Sequence, residues 1–123
     1  MIIHTNKAPA AIGPYCQAQK IGNFLFTSGQ LGIDTATGKL AEGIEAQTRA
    51  SLKNLGEILK EAGTDFGHVI KATIFLKDLN DFKTVNEIYG SCFSGDYPAR
   101  SCVQVAKLPM DGMVEIEVIA VCD

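Results

Sequence analysis

Cationic and metal-ligating side chains are scarce in this chain. Arginine occurs only at Arg49 and Arg100, and the lysines stand singly between Lys7 and Lys107. Net charge is −3 at pH 7. That balance, with no basic run, argues against a nucleic-acid surface, which needs a basic face. Histidine occurs only at His4 and His68, far apart. No H-E-x-x-H motif or Cys/His cluster is present, so no zinc or other metal site is expected. The four cysteines, Cys16, Cys92, Cys102 and Cys122, show no C-x-x-C spacing. In a reducing compartment they are expected to be free thiols. No apolar run reaches membrane-spanning length, and "MIIHTNKAPAAIGPY" holds no apolar segment long enough for a signal peptide. The expectation is a cytoplasmic protein with no membrane contact.

What remains is an ordinary mixture, 46% apolar and 20% charged over 123 residues, which suits one domain spanning residues 1–123. "QAQKIGNFLFTSGQ" reads as a hairpin turning at Gly22-Asn23. "DTATGKLAEG" supplies a second turn at Gly38. From Ile44 to Ala62 a helical period brings Thr48, Leu52, Leu55, Leu59 and Ala62 onto one stripe, and leaves Gln47, Arg49, Lys53, Glu57 and Lys60 off it. Gly63 is placed to stop that helix. "HVIKATIFLKD" predicts a strand with Ile70, Ala72, Ile74 and Leu76 on an apolar face. Its other face, Val69, Lys71, Thr73, Phe75 and Lys77, suits either a subunit interface or a half-wet sheet surface. A second helix is expected from Asp81 to Phe93, capped by Asp78 or Asn80, with Phe82, Val85, Ile88, Tyr89 and Cys92 inward. Strands at Ser101–Leu108 and Met113–Cys122, joined through Pro109 to Gly112, read as a closing hairpin. The element order points to an α+β fold, a mixed sheet with two helices packed on one face.

Arg100 lies at the mouth of the apolar alternation in "YPARSCVQVAKLP". A guanidinium there needs either an internal carboxylate or a ligand. Glu115 and Glu117 open one face of "MVEIEVIAVC"; they are edge-strand charges against aggregation or functional acids. Ser28 and Gly29 end the first hairpin, where a glycine permits close approach of a ligand or simply makes a turn. Tyr15 follows Gly-Pro and is either a proton donor or a core cover. Asn86 sits mid-helix beside the apolar stripe and requires a hydrogen-bond partner.

"APAAIGPYCQA", "FTSGQL", "DLNDFKTVNEIY", "PARSCVQVAKLP" and "VEIEVIAV" together resemble the reactive intermediate deaminase A group of the Rid family, also called YjgF. The resemblance runs over essentially the whole chain. It implies a chorismate mutase-like, trimer-forming domain with clefts at the subunit interfaces. It also implies cofactor-independent hydrolysis of 2-enamine and 2-imine acids, such as 2-aminoacrylate and 2-iminopropanoate, to 2-keto acids and ammonia. Under it, Arg100 grips the substrate carboxylate and Glu115 holds the hydrolytic water. Tyr15, Ser28 and Asn86 match further site positions. The backbone amide of Cys102 helps to hold the carboxylate, and Gly29 lies beside the imine. Two other functional classes compete. One is a non-catalytic carboxylate-binding or chaperone-like protein using the same cleft. The other is a ribonuclease or translation inhibitor, which the acidic balance and the lack of an aromatic-basic stripe oppose. Chorismate mutation would want more cationic groups than one arginine.

Overall fold

The chain begins with a short strand, β1 (Ile2–Ile3), and then the expected hairpin of β2 (Ala18–Ile21) and β3 (Phe24–Thr27). β4 (Gln30–Leu31) follows, and β5 (Ile33–Asp34) and β6 (Lys39–Leu40) form a separate two-stranded ribbon. Helix α1 spans Gly43–Glu61, β7 Val69–Leu76, α2 Phe82–Gly90, β8 Ala99–Gln104 and β9 Val114–Val121. The computed structural model describes residues 1–123. Its main sheet has seven strands in the order β1-β2-β3-β9-β7-β8, with β4 also paired to β9.

β9 is central because its alternation is the cleanest in the chain. Val114, Ile116, Val118 and Ala120 are buried, while Glu115, Glu117, Ile119 and Val121 take the other face. The buried face packs under α1 and α2, whose Leu52, Leu55, Ile58, Leu59, Val85, Ile88 and Tyr89 join Ala72, Ile74 and Leu76 of β7 in one core. α1 stops where expected. Gly63 takes φ 83°, and the Thr64 N–H donates to the Leu59 carbonyl at 2.9 Å. The Thr64 hydroxyl then donates to the Val121 carbonyl at 2.8 Å and ties the helix end to β9. α2 is entered through a 3₁₀ turn, Leu79–Asp81, capped by the Asp78 side chain accepting from the Asn80 N–H.

Four expectations are corrected. β8 and β9 do not form a hairpin: β7 lies between them, and β8 runs parallel to β7 as the return strand of a β7-α2-β8 crossover. Regular pairing in β8 also ends at Gln104 and does not reach Leu108. Ile70 is exposed because the β7–β9 register breaks between Val69 and Lys71, so that Val69 and Ala72 both turn inward. Gln47 is buried, not surface: its Oε1 accepts from the Met113 N–H at 2.9 Å.

Candidate active site

Arg100 stands on β8 opposite Ala72 of β7, and so faces the helix layer at the sheet edge. Its Nη1 donates to Asn86 Oδ1 at 2.5 Å. The guanidinium carbon lies 5.3 Å from the Phe82 ring centroid and 5.2 Å from that of Tyr89. No carboxylate pairs with it. The ion pairs of the chain are Arg49–Glu45, His68–Asp65 and Lys77–Asp111. A neutral amide and two ring faces therefore orient the charge without neutralising it. Arg100, Asn86, Tyr89, Tyr97 and Pro98 line a cavity of about 600 Å³. The Tyr89 hydroxyl is buried there without a hydrogen-bond partner, and burial pushes its pKa up while Arg100 pulls the other way. Cys102, two residues along β8, shares the helix-side face. Burial raises its thiol pKa, with Arg100 a smaller opposing influence, so at neutral pH the sulfur stays protonated.

Glu115 stands on the open face of the sheet, opposite Phe75 of β7 and Leu31 of β4. Burial holds its carboxyl above the usual carboxylate range, and the neighbouring Glu117 charge adds to the shift. The register along β9 slips by one residue between β3 and β4: Phe26 pairs with Ile119, yet Gln30 pairs with Ile116. Ser28 and Gly29 occupy that slip. A Cβ on Gly29 would come within 2.7 Å of Glu115 Cδ, so the glycine is what lets the carboxyl lie against the backbone. Ser28 Oγ donates to the Cys16 carbonyl at 2.6 Å and keeps its own lone pairs free. Tyr15 is half exposed on a loop that Gln17 anchors from inside. The buried Gln17 amide accepts from the Thr5 N–H and donates to the Thr5 and Pro9 carbonyls. Tyr15, Ser28, Gly29 and Glu115 line one cleft of about 890 Å³, together with Ile12, Pro109 and Met110.

A sequence model of the family described as endoribonuclease L-PSP matches residues 5–122. The chain belongs to that family. A Mus musculus protein named 2-iminobutanoate/2-iminopropanoate deaminase is 54% identical over 121 residues, which are 98% of this chain and 90% of the mouse protein. A Salmonella typhimurium protein of the same name is 51% identical, covering 97% of this chain and 95% of its own length. The crystal structure of Escherichia coli TdcF with bound serine superposes with a TM-score of 0.96 at 48% identity, covering 100% of this chain and 99% of that one. The E. coli YjgF gene product superposes with a TM-score of 0.95, also at 48% identity, covering 98% of each chain.

In this L-PSP (Rid) chain the segments that carry the resemblance fall into two groups. "DLNDFKTVNEIY" and "PARSC" bring Asn86, Arg100 and Cys102 together on the helix side of edge strand β8. "GPYCQA", "FTSGQ" and "VEIE" bring Tyr15, Ser28, Gly29 and Glu115 together around the open face of β9. β7 separates the strands of Arg100 and Glu115, and the two residues face opposite sides of the sheet. The aromatic support of Arg100 was not expected from the sequence, although Phe82, Asn86 and Tyr89 follow helical spacing on one stripe of α2.

Proposed function

We propose that this protein hydrolyses 2-imino acids and their enamine tautomers to 2-keto acids and ammonia, at clefts completed between subunits of a homotrimer. The observation that carries the reading is the Arg100 guanidinium, held in position by Asn86, Phe82 and Tyr89 yet left without a carboxylate of its own. A fixed fork of donors with unsatisfied positive charge is a receptor for a small carboxylate. The deaminase names of relatives at about half identity over nearly the full chain supply the reaction class.

In this mechanism Arg100 takes the substrate carboxylate, aided by the backbone amide of Cys102. Asn86 keeps the arginine aligned. Glu115 holds a water and accepts its proton as the water adds to C2 of the iminium. Ser28 Oγ, with its proton committed to the Cys16 carbonyl, accepts from the substrate nitrogen. Tyr15 supplies a proton to the nitrogen as the C–N bond of the tetrahedral carbinolamine breaks and takes the hydroxyl proton as the C=O bond forms, and Glu115 releases its proton to solvent. One water is consumed, and one 2-keto acid and one ammonia leave. An iminium carbon is already electrophilic, so placement and proton transfer are sufficient help. The test is ammonia and pyruvate release from 2-iminopropanoate generated in situ, with and without the protein. Release no faster than the spontaneous rate overturns the reading.

The uncovered sheet face supports this assembly. Ile21, Phe24, Phe26 and Val103 are 44–64% exposed, and Phe75, Ile119 and Val121 lie half-buried among them. An apolar face of this breadth belongs against another chain. The opposite-facing halves of the site favour the same reading, in which Arg100 of one subunit meets Glu115 of its neighbour. Sedimentation equilibrium at micromolar concentration is expected to give three times the 13.2 kDa chain mass. A 13.2 kDa species would sink both the assembly and the shared cleft.

The Cys102 sulfur has no place in this chemistry, because its thiol is held protonated and only its backbone amide is used. Cys102→Ala is expected to lower kcat/KM by less than about tenfold. A loss of several powers of ten would make the thiol a nucleophile.

A further inference from the structure

The turn between β8 and β9 contains two successive non-glycine residues in the left-handed region, Met110 at φ 59° and Asp111 at φ 56°. Residues with a Cβ rarely adopt this conformation, and it persists where the surroundings over-determine it. Here they do. The Lys77 ammonium donates to Asp111 Oδ2 at 3.1 Å. The Lys77 N–H donates to the Met113 carbonyl at 3.0 Å. The buried Gln47 amide reaches from α1 to take the Met113 N–H at 2.9 Å. Restraint from two separate elements is more than a connecting turn requires, and glycine at these positions would hold the same path without strain.

The strained backbone places a side chain. Met110 and Pro109 line the same cleft as Tyr15, Gly29 and Glu115. Met110 remains 55% exposed, and Ile12, another residue lining this cleft, is 90% exposed. Neither contributes to the core. A thioether on three rotatable bonds adapts to apolar groups of varied shape. We propose that Met110 is a specificity-determining residue, the wall against which the substrate side chain packs, and that the enzyme favours 2-imino acids with extended aliphatic side chains. This rests on the deaminase reading and names the substrate class within it.

The experiment compares kcat/KM for 2-iminopropanoate and 2-imino-4-methylpentanoate, generated from alanine and leucine by an amino acid oxidase with catalase present. Wild type, Met110→Ala and Met110→Gly are measured, with thermal melts on the same samples. Losing an apolar wall is expected to lower kcat/KM for the leucine-derived substrate about tenfold more than for the alanine-derived one, in both variants. Met110→Gly, which also relieves the left-handed strain, is expected to melt higher than Met110→Ala. An unchanged ratio between the two substrates in both variants overturns the assignment, as does an equal loss on both. If wild type turns over neither substrate, the deaminase reading falls and takes this one with it. Wild-type turnover with an unchanged ratio removes Met110 alone.

Discussion

Arg100→Ala is expected to lower kcat/KM for 2-iminopropanoate by about two to four powers of ten while leaving the fold intact. A hydrogen bond to a charged partner is worth roughly 1.5–3 kcal/mol, so losing a bidentate carboxylate contact removes about 3–5 kcal/mol of transition-state binding. Arg100→Lys keeps the charge but loses the fork and the flat stacking surface, and is expected to lose most activity as well. Stability separates this role from a structural one. A buried arginine paired with a carboxylate costs about 3–5 kcal/mol when removed, because the partner is stranded. Arg100 strands nothing, since its partner is the neutral and exposed Asn86. What is lost is that hydrogen bond and the contact with two rings, the latter worth about 0.5–1 kcal/mol at a partly exposed site. For a domain of this size about 1 kcal/mol corresponds to roughly 4 °C in Tm. A drop much larger than this, accompanied by near wild-type turnover, would mean that the arginine serves the fold and that the carboxylate is received elsewhere.

The same residue shows how far the sequence can be read. That Arg100 has no obvious partner is visible in its neighbours along the chain, and the alternation of "VEIEVIAV" marks a strand with one buried face. Helical spacing places α1 and α2 to within a few residues, because three- and four-residue apolar periods have one physical solution. Strand order is a different kind of information. Two strands joined by a short turn are ordinarily neighbours, and only the demand that β8 return parallel beside β7 after α2 prevents it here. That demand is tertiary. Ile70 is misplaced for a related reason: a bulge reverses alternation without leaving a compositional mark. Gln47 looks like a surface residue, and its burial depends on an N–H 66 positions away. The candidate residues can therefore be named one by one from the sequence, but their division between two faces of the sheet cannot.

That division gives the second large effect its sharpest form. Glu115→Gln preserves the shape beside Gly29 and removes the base, so kcat is expected to fall by about two powers of ten or more, with a much smaller change in KM. A normal kcat with weakened binding would reverse the role and make Glu115 a substrate contact. The pH dependence has a defined sign. Burial raises the Glu115 pKa, so the folded state disfavours the ionised form that the mechanism uses. The Glu115 contribution to stability then falls as pH rises from the ordinary carboxylate value through the raised one, and its penalty is complete above it. Glu115→Gln is accordingly expected to melt above wild type at neutral pH, with the gap closing as pH falls below the ordinary carboxylate range. A neutral substitution that stabilises the protein while disabling it is the signature of a charge kept for chemistry. Refolding Arg100→Ala and Glu115→Gln chains together then tests where the two halves meet. If Arg100 and Glu115 of one cleft belong to different subunits, some clefts in the mixed trimers carry both native residues, and activity returns that neither variant shows alone. If both came from one chain, every cleft in the mixture would lack one of them and no activity would return.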